Sequence, residues 1–119
     1  MLQLSHKRLD VYTLALKMVK EVYQVTKKFP REEQFVLITQ LRRASISVCS
    51  NIAEGSARIS KTEKKRFYEI SRSSVVEIDT QLEICMILEY LPNGQINELE
   101  QYLESIFRML SKLIDNLKT

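Results

Sequence analysis

A stripe of polar side chains is the first place where this 119-residue sequence could do chemistry. Gln40, Arg43, Ser47, Asn51 and Glu54 recur three and four residues apart, which on a helix places them on one face. Two readings follow. As a recognition face, Arg43 and Asn51 would contact a partner. As a hydrogen-bonded seam, the stripe would fix helix register or subunit contacts, with Glu54 neutralised by an arginine such as Arg58, Arg66 or Arg72. An enzymatic reading would have to use Asn51, Glu54 and Arg72, and no nucleophile–base pair accompanies them.

The second constellation is basic. Arg58, Lys61, Lys64, Lys65 and Arg66 cluster within nine residues, with Arg42 and Arg43 before them and Arg72 after. Such side chains can hold phosphates electrostatically, or simply form a solvated surface. Lysines in a first helical turn are unexpected, because the helix dipole disfavours cations there. Up to Arg72 the chain has 15 basic and 7 acidic side chains, and from Ser73 onward 3 and 8. That polarity can attract an anionic partner or support head-to-tail packing.

Other chemistry is poorly represented. His6, the single histidine, sits in a segment expected to fray, without a partner for base or metal work. Cys49 and Cys85 lie in apolar contexts without metal-ligand spacing, and are expected to be buried free thiols. There is no phosphate-binding glycine loop, nucleophile elbow or zinc signature. The Glu-x-x-His pattern of di-iron bundles is also absent. The expectation is a protein with no catalytic residues, no metal and no cofactor.

The elements that position these residues follow from hydrophobic spacing. Two Gly and two Pro in 119 residues, with 45% hydrophobic residues, favour long helices in one domain spanning 1–119. The first helix is expected over about Asp10 to Phe29, capped by Asp10 and ended by Pro30, with a stripe of Val11, Ala15, Met18, Val22, Val25 and Phe29. The second covers about Glu32 to Ala57, with Leu37, Leu41, Ala44, Val48 and Ile52 facing inward and Gly55 as a candidate C-terminal cap. Ser60 and Glu63 form a capping box for the third. Its stripe of Phe67, Ser71, Ser74, Ile78, Leu82 and Cys85 runs on toward Tyr90. Leu91-Pro92-Asn93-Gly94 signals a turn. The fourth carries a heptad of Ile96, Leu99, Leu103, Ile106, Leu110, Leu113 and Leu117.

Four helices with short links predict an all-α, antiparallel up-down-up-down four-helix bundle. The first and fourth helices have apolar faces wider than one stripe. Their extra residues predict a homo-oligomer, with Tyr12, Tyr23, Tyr102, Phe107 and Met109 at the interface. No apolar run approaches the roughly 18 residues of a membrane span. The N-terminus lacks the apolar stretch of a secretory signal. The expected location is therefore cytoplasmic, with no membrane partner.

The second and third segments resemble a known family. Gln40-Leu41-Arg42-Arg43-Ala44-Ser45-Ile46-Ser47-Val48, followed by Ser50-Asn51-Ile52-Ala53-Glu54-Gly55, is similar to the signature of bacterial four-helix-bundle proteins encoded in 23S rRNA intervening sequences. Arg58, Ser60, Glu63, Arg66-Phe67, Ile70, Ser74, Glu77 and Gln81-Leu82 extend the match. So do Leu9, Val11-Tyr12, Phe29-Pro30, Glu33 and Phe35. Tyr12 stands where the family usually has Trp. Cys49 stands where it often has Pro, which puts any proline kink in doubt. The resemblance implies a homopentameric ring and similarity to the accessory variability protein of diversity-generating retroelements, a basic barrel that associates with nucleic acid and a reverse transcriptase. It does not imply a ribosomal role. By this implication RNA or DNA would be the partner, through Arg42, Arg43, Arg58, Lys61, Lys64, Lys65, Arg66 and Arg72. Gln40, Ser47, Asn51, Glu54 and Glu77 would make a polar seam or subunit contact. A scaffold for another protein is the alternative.

Overall fold

A computed structural model describes residues 1–91 and 96–117 of the chain. Among these are four α-helices and no strand: α1 (Asp10–Thr26), α2 (Thr39–Ala57), α3 (Lys61–Ile87) and α4 (Asn97–Asn116). Cross-helix contacts fix their directions. Ser47 meets Ser74, and Ser56 meets Tyr68, so residue numbers fall on α3 as they rise on α2. Arg42 reaches back to Thr26. Arg72 bonds Ser111, while Asp79 lies beside Glu104. Leu9 to Val11 lie beside Met109 to Asn116. Each neighbouring pair is therefore antiparallel, and the contacting pairs α1–α2, α2–α3, α3–α4 and α1–α4 close an up-down-up-down bundle.

The core takes one stripe from each helix. Ala15, Met18, Leu41, Val48, Ile52, Ile78, Cys85, Ile106 and Leu110 are fully buried. A strict heptad misplaces the ends of these stripes, because 3.6 residues per turn drift against a period of 3.5. Thus Ile114 is buried at the end of α4, whereas Leu113 and Leu117 are only partly covered. On α3 Tyr68 takes the buried place expected of Phe67.

The helix ends correct several expectations. Asp10 is the first residue of α1 rather than its cap. Leu9 holds the extended cap backbone, and its carbonyl accepts from the N–H of Thr13. Asp10 still suits the positive end of the dipole. Helix α1 stops at Thr26, short of Phe29. The lead-in to α2 is a 3-10 turn (Arg31–Glu33) and a π-turn (Gln34–Ile38), so the α-helix proper starts at Thr39 and then runs unbroken through Cys49. Ser60 accepts from the N–H of Glu63 at 3.1 Å, as an N-cap should. Helix α3 ends at Ile87, where Glu89 takes φ 63°. The N–H groups of Glu89 and Tyr90 bond the carbonyls of Met86 and Cys85, a Schellman ending with Glu where Gly is usual. The turn signal at Pro92, Asn93 and Gly94 lies outside the described residues.

Gly55 is not a cap. It is buried inside α2, and a Cβ there would stand 2.7 Å from the Tyr68 ring and 3.2 Å from Phe67 Cβ. Its role is to let α2 and α3 touch, helped by Ala44, Ser47, Ser71 and Ser74.

Candidate functional site

The polar stripe of α2 faces α3. Asn51 donates from its amide to the Ser47 carbonyl at 2.9 Å and to Ser47 Oγ at 3.0 Å. Ser47 Oγ in turn lies 2.9 Å from Ser74 Oγ, and Ser71 Oγ donates to the Val48 carbonyl at 2.8 Å. These bonds satisfy polar groups at the closest helix contact, where leaving one unpaired would cost about 1–3 kcal/mol. Glu54 pairs with Arg58 at 3.2 Å, and both side chains are about half exposed, so this pair contributes less than about 1 kcal/mol. Gln40, Arg43, Ser47 and Glu77 line a cleft of about 370 Å³ between the two helices. Gln81 donates weakly to Glu77 at 3.4 Å. Asn51, Glu54 and Arg72 do not converge, since Asn51 bonds Ser47, Glu54 bonds Arg58 and Arg72 turns to α4.

The eight basic residues divide into two sets. Arg42 caps the C-terminal end of α1: Nε donates to Thr26 Oγ1 at 2.9 Å, Nη2 to the Tyr23 carbonyl at 3.4 Å, and the guanidinium lies over the Tyr23 ring. Lys64 caps α2, with Nζ 3.0 Å from the Ser56 carbonyl and 3.4 Å from that of Gly55. Cations at these ends complement free carbonyls and the negative end of the dipole. The lysines that seemed misplaced at the start of α3 thus lie beside the end of α2. Arg58 covers Phe67 while pairing with Glu54. Arg72 donates to Ser111 Oγ at 3.0 Å and lies over Phe107. Arg43, Lys61, Lys65 and Arg66 have no such partner among the described residues.

Helix direction turns the charge asymmetry into a polarity along the bundle. The end holding the α2–α3 link also holds Lys7 and Arg8, because Leu4 to His6 pack beside Ala53, Glu54 and Ala57. Lys112 sits there too, near Asp10. The opposite end gathers Glu32, Glu33, Glu83, Glu89, Glu98 and Glu100, which outnumber Lys27, Lys28 and Arg31 there.

His6 does not fray. It is buried in a 3-10 turn and stands edge-on to Tyr12, ring centroids 4.7 Å apart. Both thiols are free, Cys85 buried and Cys49 partly so. Burial pushes each from the ordinary 9.0 up to about 11, so both stay protonated at neutral pH. The Glu33 carboxylate accepts from the Tyr90 hydroxyl at 2.8 Å and raises its pKa; Glu98 does the same to Tyr102.

The family model of the 23S rRNA-intervening sequence protein matches residues 7–112. The chain belongs to that family. No curated protein matches. A crystal structure of a protein of unknown function from the S23 ribosomal protein family of Bacteroides thetaiotaomicron superposes with a TM-score of 0.80 at 22% identity, covering 88% of this chain and 95% of that one. At that identity the likeness concerns the fold.

Tyr12, Tyr23, Tyr102 and Met109 are partly buried, with Tyr12, Tyr102 and Met109 packed on the core. Phe107 alone of the five expected interface residues is exposed. The larger apolar exposure lies elsewhere: Phe35 and Val36 in the π-turn, and Ile70, Val76, Ile84 and Ile87 on α3. Sequence spacing missed those on α3 because apolar residues occur all round that helix. No helix among the described residues is long and apolar enough to cross a membrane.

Proposed function

We propose that the protein is a homo-oligomeric, non-enzymatic cytoplasmic module that binds RNA or DNA through the basic end of its bundle. The family resemblance suggests five subunits. The observation that carries the reading is a net excess of uncommitted cations at one end: Arg8, Lys61, Lys65 and Arg66 are there without internal partners among the described residues, whereas Lys27, Lys28 and Arg31 at the other end share it with six glutamates. Arg42 and Lys64 leave the phosphate-binding set, since their donors already serve helix ends. An oligomer would present several such ends together and strengthen the field.

The test is binding of RNA and of duplex DNA at two salt concentrations, on protein of measured mass. Each phosphate contact contributes a slope of about −0.9 in log K against log salt on duplex DNA. Charge reversal of Lys61, Lys65 and Arg66 should abolish binding. Lys64→Met should lower thermal stability and leave the salt slope unchanged. Binding indifferent to salt, or none at low salt, would reject the reading. The exposed apolar residues of α3 would then favour the second reading, a scaffold for another protein.

A further inference from the structure

The third and fourth helices leave an open groove of about 420 Å³ along the outside of the bundle. Its floor is apolar, with Val76 and Phe107 exposed at 51% and 42%. Its rim is acidic. With Arg72 opposite Ser111, the antiparallel register sets Val76 level with Phe107, Asp79 level with Glu104 one turn further on, and Glu83 level with Glu100 a turn beyond. None of these four carboxylates has an ion-pair partner among the described residues. The basic groups nearest this run are toward its far end: Arg72, engaged by Ser111 and Phe107, and the exposed Arg108, one turn beyond Glu104 on α4 and not ion-paired among the described residues.

The outward face of α1 is its complement. Leu16, Lys17 and Lys20 are exposed there, Leu16 at 49%, with Lys27 further along. No acid shares the centre of that face, since Asp10 and Glu21 lie toward α4. Neither Lys17 nor Lys20 has an ion-pair partner among the described residues. Leu16 precedes Lys20 by one turn, the same step that separates the Val76–Phe107 level from the Asp79–Glu104 level.

We infer that the groove between α3 and α4 receives the outer face of α1 from a second copy of this chain, with Leu16 on Val76 and Phe107 and Lys17 and Lys20 among Asp79, Glu100 and Glu104. The inference rests on the oligomer proposed above and names its junction. The two surfaces are different parts of one molecule, so the contact is head-to-tail: every copy offers a groove to one neighbour and an α1 face to another. Unlike charges steer this pairing, and like charges oppose groove against groove.

The test is light scattering on the full chain, with helical content and melting temperature measured alongside. Lys17→Glu with Lys20→Glu should dissociate the oligomer, weakening subunit association at least tenfold. Asp79→Lys with Glu104→Lys should do the same. All four substitutions in one chain should restore the wild-type mass, because each junction then pairs reversed charges. The exposed positions leave melting within a few degrees for the isolated subunit. A wild-type oligomer that survives both pairs of substitutions would overturn this junction alone, and leave the groove to a basic segment of another protein. A wild-type protein that is monomeric at every concentration would overturn the junction and the oligomer reading together.

Discussion

Helix α3 touches α2 on one flank and α4 on the other, and it treats the two differently. Toward α2 it offers Ser71 and Ser74, which bond the Val48 carbonyl and Ser47, and Tyr68 against Gly55. Small side chains bring the backbones together, and hydroxyls bond across the gap. Toward α4 it offers Val75, Val76 and Asp79, and the helices splay enough to leave a groove. One flank has its hydroxyls and the Asn51 amide answered internally, with only Gln81 Oε1 buried and unpartnered among the described residues. The other has exposed apolar surface and unanswered carboxylates. The lesson is that closeness and self-sufficiency go together: a flank built from small residues completes itself, and a flank built from larger ones waits for something else.

The comparison can be broken most severely at Gly55. Gly55→Leu should cost about 2–3 kcal/mol in a denaturant melt, because the added side chain must displace Tyr68 and Phe67. An unchanged midpoint would mean the contact is looser than described. Ser71→Ala should cost about 1 kcal/mol by the same measurement, for the loss of its buried bond to the Val48 carbonyl. At the far end of α3, Glu89→Gly should raise stability by about 1 kcal/mol, since Glu89 holds the left-handed conformation that glycine adopts freely. A loss there would show that its side chain makes a contact worth more than the strain. The smallest effect belongs to the α4 flank. Val76→Ser should change the stability of the isolated subunit by less than about 0.5 kcal/mol, as is usual for exposed positions. A larger cost would make the groove part of the subunit's own core.

Much of the bundle was legible beforehand. The alternating stripes on α1, α2 and α4 named the core almost residue by residue, because burial imposes the helical period directly. Ser60 and Glu63 marked a helix start whose bond is local, and local bonds can be inferred from neighbours in sequence. The candidate sites were less legible. Arg42 and Lys64 looked like phosphate ligands as members of a basic run, but their donors go to Thr26 and to the Ser56 carbonyl. Such partners come from helices that only folding brings alongside. His6 looked idle for the same reason, since nothing in its own segment revealed Tyr12 edge-on to it. Gly55 was misjudged because position near a helix end and close helix approach both select glycine.

What the sequence determined by itself is the set of helices, the stripe each buries and the total charge, since these depend on residue type and on spacings of three and four. Tertiary structure alone decided which charges are spent and which remain. Antiparallel packing placed the lysines at the start of α3 beside the free carbonyls at the end of α2, gathered acids from α3 and α4 along one groove, and left the lysines of α1 on the opposite side of the bundle. Charge acts through space, across the gap between neighbouring helices. Its consequences therefore depend on the arrangement of helices, which no single helix encodes.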